Sequence, residues 1–310
     1  MAVSRPDKPL FPCGITKGDL AEYYRAVAPA MLRHVAGRPL NLERFPDGIE
    51  GPRIIQQRAG GHFPGWIKRV TVPKQGGTVD HVVASDASTL VYLAGQACIT
   101  LHAWLSRADR LDAPDRMILD LDPADDRAPD AREAAIDIGM LLRELGLEPF
   151  AMATGSRGYH VTVPLRRRAG FDEVRSFARD VARVAVARDP RLTVEQRKTA
   201  RGGRIFVDVM RNTYAHTAVA PYSVRPRAGA PVAAPLRWEE LSDAGTRPDG
   251  QTLRTVLGRL EREGDPWADI RSFARALGTP RRRLERLLRD VGQTWRAASP
   301  TNRAVGADHS

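Results

Sequence analysis

Carboxylates at the end of one apolar segment are the first residues in this sequence whose spacing could support chemistry. Asp120 and Asp122 follow the apolar residues 117–119 and precede Pro123. Side chains alternate between the two faces of a strand, so we expect both carboxylates to point the same way. Two such charges repel each other unless a cation lies between them, and oxygen ligands suit Mg²⁺ or Mn²⁺. The pattern therefore predicts a divalent-cation site.

A third carboxylate, Asp208, lies in a second apolar segment, 205–209. Three acids on neighbouring strands could hold two ions about 3.5–4 Å apart, which would stabilise the attacking and leaving oxygens of an in-line displacement. Two other interpretations stay open at this point. The Asp-x-Asp pair could simply end a strand and cap a turn, or Asp120 could be the nucleophile of a phosphatase. The phosphatase pattern expects a hydroxyl two residues after the second acid, where this sequence has Ala124.

A glycine-rich segment, 154–160, lies between the two acidic segments and has the composition of a phosphate-binding turn. Its two glycines let backbone N–H groups approach an anion, while Arg157 and His160 supply cationic donors. His160 could instead be a core histidine with its hydrogen bonds satisfied, but its place between the acidic segments favours a substrate role. Further cations precede and follow the third acid: Lys198, Arg201, Arg204, Arg225 and Arg227. Acids among so many cations predict a site for a metal-bound triphosphate.

The elements that position these residues follow from hydrophobic periodicity and turn residues. The predicted strands are 117–123, 149–154, 159–165 and 204–210, with the glycine-rich segment joining the middle two as a hairpin. Helices are predicted over 130–145, with Asp130 as the cap, and over 171–187. The predicted fold is α+β, with a mixed or antiparallel sheet and two covering helices.

The flanking regions are predicted to be helical and rich in loops. Before the acidic segments we predict a helix at 17–35, loops over 38–77, and a helix from 86 that leads into a short strand at 99–101. After them we predict helices at 253–263 and 271–289 and a loose tail at 297–310.

Composition excludes several classes of protein. The 310 residues carry a formal net charge of +11 and are 42% hydrophobic, so we expect a folded, basic protein. Without an apolar run of about 20 residues or a secretory signal, we expect a cytoplasmic protein with no membrane partner. Cys13 and Cys98 alone exclude a disulfide framework or a four-thiolate zinc site.

The cations are almost all arginines, since only five of the 48 Lys and Arg residues are lysines. Guanidinium groups bind phosphate oxygens in a bidentate manner, so polyphosphate or nucleic acid is the first partner to consider. A coding bias toward Arg and Ala, with the cations solvated on exposed faces, would give the same composition.

The order of these motifs resembles the archaeo-eukaryotic primase (AEP) superfamily, and within it the polymerase domain of bacterial ligase D (LigD). The segments similar to that family are Asp120-Leu-Asp-Pro, Gly155-Ser-Arg-Gly-Tyr-His160, Phe206-Val-Asp208 and Ala220-Pro-Tyr-Ser-Val-Arg225. The resemblance spans about 6–270. It implies a LigD-type primase-polymerase domain over 1–270, with a DNA-end module at about 1–105 and a catalytic core at about 106–240. A basic helical extension and tail, 271–310, would follow.

The resemblance implies a role for each matching residue around the nucleotide. Asp120, Asp122 and Asp208 would hold two catalytic divalent ions, with Mn²⁺ favoured over Mg²⁺. The residues that would bind the triphosphate of the NTP or dNTP are His160 and Arg225, with Ser156, Arg157 and Lys198 around them. His102 matches a family histidine near the sugar, and the family prefers ribonucleotides. The family's acid two residues earlier is Thr100 here, which implies weaker sugar selectivity.

The resemblance also implies a DNA-binding set in the first 60 residues. Lys8 and Lys17 match the family lysines that bind a 5′-phosphate across a gap or break, and Arg44 begins the loop that follows. Ile54 and Ile55 replace a pair of phenylalanines that stack on the template strand. Because stacking contributes roughly 1–3 kcal/mol per base, we expect a weaker or differently built grip on the template.

The implied function is a template-dependent polymerase that fills short gaps or breaks during non-homologous end joining, by two-metal phosphoryl transfer. No ligase signature is present, so we expect a stand-alone polymerase acting with a separate DNA ligase and the bacterial Ku protein. The alternatives are a primase that starts chains de novo and a non-catalytic DNA-end binding protein. The 271–289 helix could hold duplex DNA or dock on the core with a solvated basic face.

Overall fold

The computed structural model describes residues 3–124 and 131–298 and contains two six-stranded sheets with covering helices. The helices are α1 (Lys17–Val35), α2 (Ala87–Gly95), α3 (Ala131–Glu144), α4 (Phe171–Arg188), α5 (Val256–Glu263) and α6 (Gly278–Ala298). The first six strands are β1 (Pro39–Arg44), β2 (Ile54–Gln56), β3 (Arg69–Lys74), β4 (Gly77–Val83), β5 (Cys98–Trp104) and β6 (Arg116–Asp122). The others are β7 (Phe150–Ala153), β8 (Tyr159–Pro164), β9 (Leu192–Thr193), β10 (Ile205–Asp208), β11 (Thr217–Val219) and β12 (Ala234–Leu236). The α+β prediction is confirmed.

The sheet that holds the three acids has the order β12-β7-β8-β6-β10-β9. All its pairings are antiparallel except β9 with β10, so the sheet is mixed. The apolar stripes of α3 and α4, with Ile138 and Phe177 fully buried, pack into one core with the central strands. The four predicted strands and both helices are confirmed. β9 and β12 were not predicted, because segments of two and three residues are too short to show a periodicity.

The other sheet, called the first sheet because most of its strands come first in the chain, corrects the prediction that residues 38–77 form loops. That stretch supplies β1, β2 and β3, and the sheet has the order β11-β5-β1-β4-β3, with β2 paired to β1. The prediction failed because β2 is an exposed segment of only three residues, because β3 is mostly exposed, and because Pro39 and Pro73 interrupt the pattern. β11, which follows the third acid in the chain, pairs with β5 and completes this sheet. The domain division predicted near residue 105 stays a prediction.

The first helix forms as its sequence predicts. Thr16 caps α1 in a reciprocal box with Asp19, which satisfies two backbone N–H groups that the helix cannot bond itself. The face that includes Tyr23, Tyr24 and Met31 is buried. The hydroxyls of the two tyrosines donate to the backbone carbonyls of Tyr222 and Ile99 at 2.7 and 2.6 Å. The helix thereby fixes the segment that ends in Arg225.

The C-terminal helix begins later than predicted. Ile270–Phe273 forms a short 3₁₀ turn, and α6 starts at Gly278. Leu284 is buried in the core of the sheet that holds the three acids, and the Arg281 guanidinium lies 5.4 Å from the ring centroid of Phe177 on α4. The helix is therefore docked on the core. The predicted cap Asp130 and residues 299–310 of the predicted tail lie outside the described residues.

A buried ionic cluster joins the first sheet to the start of β6. Arg38 is fully buried, and its Nη2 donates to both carboxylate oxygens of Asp115 at 2.5 and 2.7 Å. Arg107 Nε donates to the same carboxylate at 2.8 Å, and Arg116 lies 3.7 Å away. Burial would raise the pKa of Asp115, but the three guanidinium groups hold it well below the usual range.

The helices that the structure describes include none long and apolar enough to cross a bilayer.

Candidate active site

A cleft of about 310 Å³ brings the sequence-predicted acids, the glycine-rich hairpin and three further predicted residues together. Asp120 and Asp122 come from the end of β6 and Asp208 from the end of β10, while β5 contributes His102. Other lining residues are Ser156, Arg157, His160, Arg201, Arg211 and Arg225. Both sheets therefore contribute residues to one site. The motifs of the sequence analysis are close together in space.

Strand pairing places two of the acids directly opposite each other. Asp120 pairs with Asp208 across β6 and β10, and with His160 across β6 and β8. Burial would raise the pKa of Asp120, but the His160 and Arg211 charges lower it to about 2. Burial raises the pKa of Asp208, and the Asp120 charge adds to the effect. The site therefore concentrates negative charge that needs cations around it.

Arginines supply those cations in the structure. Arg211 Nε donates to Asp120 Oδ2 at 3.1 Å and lies 3.9 Å from Asp208 Oδ2. Arg201 Nη1 donates to Asp122 Oδ2 at 3.1 Å, and Arg157 Nη2 lies 3.7 Å from Asp122 Oδ1. Sequence reasoning missed Arg211. Its only signal was the spacing of three residues after Asp208, across a short 3₁₀ turn.

The donor chemistry of the site fits a divalent cation, although its present geometry does not form a finished ligand set. Three carboxylates line one cleft, and oxygen ligands of this kind are those that Mg²⁺ and Mn²⁺ prefer. Among residues 3–124 and 131–298, no three His, Cys, Asp or Glu side chains are grouped closely enough to hold an ion. Arg211 occupies the position between Asp120 and Asp208 instead.

The hairpin between β7 and β8 depends on close backbone approach. Gly155 has φ of +65°, and a Cβ on Gly158 would lie 1.8 Å from the carbonyl oxygen of Leu121 in β6. Ser156 and Arg157 at the hairpin tip line the cleft, and Arg227 donates to the Ser156 hydroxyl. His160, at 3% exposure, is buried in β8 and its Nε2 lies 3.5 Å from Asp120 Oδ1. The glycines thus let the hairpin reach the acids.

Replacing Gly158 with alanine should lower the free energy of unfolding by about 1–3 kcal/mol, because the new methyl group forces the backbones of β6 and β8 apart. Urea unfolding followed by circular dichroism measures the change. Gly95→Ala is the matched control, since the nearest atom to its Cβ would be a Val3 methyl at 3.7 Å. Equal stability of the two variants would contradict the close approach.

The remaining predicted nucleotide-binding residues differ in position. Arg225 lines the cleft and packs on Gly155, and its buried Nε has no hydrogen-bond partner in the described part of the chain. Burial lowers the pKa of Arg225, and the charge of Arg227 lowers it further. Lys198 is exposed in a 3₁₀ turn and does not line the cleft.

His102 has an acidic neighbour that sequence reasoning missed. Its Nε2 lies 3.1 Å from Glu43 Oε2, and Glu43 is buried in β1. Glu43 pairs directly with Thr100, the position where the resemblance leads us to expect an acid. Only the antiparallel pairing of β1 with β5 brings the carboxylate to the histidine, so no local pattern could have revealed it.

Lys8 and Lys17 lie side by side, although they are nine positions apart in the sequence. The Lys17 backbone N–H donates to the Lys8 carbonyl at 2.9 Å. Lys8 Nζ donates to Asp47 at 2.9 Å and Lys17 Nζ to Ser4 at 3.3 Å. Burial lowers the pKa of Lys17, and the charges of Arg5 and Lys8 lower it further. A cationic group at the start of α1 is suited to an anion.

The predicted template-binding residues lie in β1 and β2 of the first sheet. Arg44 in β1 donates to Gln56 Oε1 at 2.7 Å, which ties it to β2. Ile54 and Ile55 in β2 are 43% and 49% exposed, so their side chains are accessible to a binding partner. Trp66, which sequence reasoning did not single out, is 46% exposed and packs edge-on against Tyr92.

Comparison with known proteins gives one consistent result. Residues 16–267 match the family model of the LigD primase-polymerase domain. The chain is 33% identical over 276 residues to the multifunctional non-homologous end joining protein LigD of Mycobacterium bovis, covering 86% of this chain and 36% of that protein. It is 35% identical over 288 residues to the LigD protein of Pseudomonas aeruginosa, covering 91% of this chain and 34% of that protein.

A solved structure supports the same assignment. The polymerase domain of Mycobacterium tuberculosis ligase D, in complex with DNA, superposes with a TM-score of 0.83 at 31% identity. The match covers 88% of this chain and 99% of that domain. The chain spans about a third of the length of the curated relatives that it matches. It belongs to the family of LigD primase-polymerase domains, which are nucleotidyltransferases.

Proposed function

We propose that this chain extends primer 3′ ends on template DNA to fill short gaps or breaks during non-homologous end joining, with ribonucleotides preferred. The observation that supports this most is the single cleft in which Asp120, Asp122 and Asp208 face a hairpin suited to phosphate. If Asp120 and Asp122 only ended a strand and capped a turn, a phosphate-binding hairpin beside them would not be expected. The names of the relatives, which refer to non-homologous end joining, support this pathway for the chain.

Two divalent ions, Mn²⁺ or Mg²⁺, are proposed as the cofactors of this site. Asp120, Asp122 and Asp208 would hold them, and the ions would supply positive charge to the attacking and leaving oxygens of an in-line displacement. Arg211 has to leave the carboxylates when they serve as ligands. Its 41% exposed side chain has room to do so.

Cationic groups of the chain would bind the NTP or dNTP through its triphosphate. Arg225 and His160 face the cleft, and Ser156 and Arg157 present a hydroxyl and a guanidinium group from the hairpin tip. Lys198 would have to approach from the exposed 3₁₀ turn beside the site. His102 would contact the sugar. These residues orient the α-phosphate for attack, which is most of what phosphoryl transfer requires from a protein.

The DNA would bind at the first sheet and the start of α1. Lys8 and Lys17 are proposed to bind a downstream 5′-phosphate, and Arg44, Ile54 and Ile55 to contact the template strand. The solved relative is in complex with DNA, which supports DNA as a partner of this chain. A separate DNA ligase and bacterial Ku are the proposed protein partners, in the cytoplasm at the nucleoid.

Primer extension on a short-gap duplex tests the proposal. With Mn²⁺ and ribonucleotides, a downstream 5′-phosphate should stimulate extension, and Lys8→Ala with Lys17→Ala should remove most of that stimulation. The reason is the loss of two cations that lie side by side. Lys74→Ala, in the exposed end of β3, is the matched control.

Other outcomes would favour the other functions. No extension in any condition, with tight binding to DNA ends retained, would support the non-catalytic end-binding protein. Products formed on a single-stranded template without a primer would support a primase that starts chains de novo.

A further inference from the structure

We propose that Glu43 is a positioning residue that fixes the proton of His102 on Nε2 and leaves Nδ1 as a hydrogen-bond acceptor for a hydroxyl of the nucleotide sugar. The inference rests on the proposed function, because it concerns the sugar of the incoming nucleotide. It assigns sugar selectivity to a side chain of β1, outside the sheet that holds the acids.

Strand pairing determines which residues share a face. In the antiparallel pair of β1 and β5, Asn41 lies opposite His102 and Glu43 opposite Thr100. Glu43 and His102 are therefore diagonal neighbours on one face, a separation that long side chains span. The observed distance of 3.1 Å between Glu43 Oε2 and His102 Nε2 shows that they do.

The Glu43 carboxylate is held in its ionised form. Its Oε1 lies 2.8 Å from Arg53 Nε, and its Oε2 meets His102. Burial would raise the pKa of Glu43, but the hydrogen bond from His102 and the charges of Arg53 and Arg225 bring it below the ordinary value. An ionised carboxylate has no proton to donate, so it can only accept from the histidine.

The proton of His102 is assigned from this partner. Burial lowers the pKa of His102, against the hydrogen bond to Glu43, and the charge of Arg225 lowers it further, so the ring is neutral near pH 7. A neutral imidazole has one N–H, and Nε2 must hold it to donate to Glu43. Across the described residues, no protein group donates to Nδ1, and His102 lines the cleft with 22% of its side chain exposed.

An acceptor at this wall of the cleft can distinguish two sugars. A ribose presents a 2′-hydroxyl that can donate to Nδ1, whereas a deoxyribose presents only hydrogen atoms on that carbon. A hydroxyl can also accept from Nδ1–H, so what favours ribose is a ring held in the Nε2–H form and in one orientation by its bond to Glu43. Glu43 provides the condition for that form without touching the nucleotide.

Nitrogen NMR of the histidine rings tests the assignment without turnover. In ¹⁵N-labelled protein, the His102 signals, identified by their loss in His102→Asn, should show protonated Nε2 and unprotonated Nδ1 near pH 7. Glu43→Ala should give a mixture of tautomers. A ring protonated on Nδ1 in the unchanged protein would overturn the proposal.

Nucleotide selectivity supplies the second readout. The ratio of kcat/KM for ribonucleotides to that for deoxyribonucleotides should fall about 5- to 30-fold in Glu43→Ala, the scale of one lost hydrogen bond. Glu43→Gln should lie between, since an amide can accept from Nε2 but can also donate to it. Glu50→Gln removes the same charge from an exposed position and should leave the ratio unchanged. Urea unfolding of each variant checks that it is folded.

The outcomes separate this inference from the proposed function. An unchanged ratio in folded Glu43→Ala, in a protein that extends primers, would overturn the role of Glu43 alone. If the unchanged protein extends no primer, the proposed function fails, and the NMR result still decides whether Glu43 fixes the tautomer.

Discussion

Asp208→Asn is expected to lower the rate of primer extension at least about 1,000-fold, because an amide is a poor ligand for the proposed divalent ions. Loss of several kcal/mol of transition-state stabilisation corresponds to this factor. Single-turnover extension with Mn²⁺, and DNA binding measured by fluorescence anisotropy, are the two measurements. Binding should persist, since the acid repels phosphate in the absence of metal.

The same substitution should leave the protein folded. The Met210 backbone N–H donates to Asp208 Oδ1 at 2.7 Å, and an asparagine oxygen can accept that bond. Burial raises the pKa of Asp208, so the native state loses stability as the pH rises from the unfolded pKa through the folded one. Asparagine does not ionise, so we expect its stability at pH 7 to equal or exceed that of the unchanged protein. Asp172→Asn, fully exposed on α4, is the control. Unfolding of Asp208→Asn would show that the acid has a structural role.

Asp115→Asn is expected to lower the free energy of unfolding by about 3–5 kcal/mol, because it leaves the buried Arg38 and Arg116 without their carboxylate. Urea unfolding at pH 7 measures the loss. Asp109→Asn, which breaks an ion pair with 67% of the aspartate side chain exposed, should cost about 0–1 kcal/mol. Similar losses in the two variants would contradict a special role for the buried cluster.

The pH dependence of the Asp115 effect follows from the direction of its pKa shift. The folded pKa lies well below the unfolded value, so the contribution is fully present above the unfolded pKa of about 3.9. It is lost as the pH falls through the folded pKa. The difference between the unchanged protein and Asp115→Asn should therefore be constant from pH 5 to pH 7 and shrink only in strong acid.

The sheet that holds the three acids could be predicted from sequence because its central strands are continuous apolar segments. β6 and β8 are buried along almost their whole length, and α3 and α4 show clear stripes. Of the first sheet only β5 was predicted, as a short strand at 99–101. The strands β2 and β3 were missed because β2 is exposed and β3 exposes Arg69 and Lys74. Those strands are defined by pairing with β1 and β4, which a local pattern does not encode.

The candidate site divides in the same way. Asp120, Asp122 and His160 belong to short motifs whose spacing already implies a shared cleft. Glu43 and Arg211 reach the site only through strand pairing and a 3₁₀ turn. Glu43 is far from every motif in the sequence, so only the structure reveals its partner, whereas Arg211 had its spacing from Asp208 as its only signal.

The arginines around the three acids offset the negative charge of the cleft without a metal ion. A small zinc domain needs its ion in order to fold, because binding of the ion supplies the free energy that holds the ligands together. Here Arg211 and Arg201 neutralise the carboxylates, so we expect the chain to fold fully in a chelating buffer. The concentration of metal would then determine the fraction of molecules that are active, without changing the fraction that are folded.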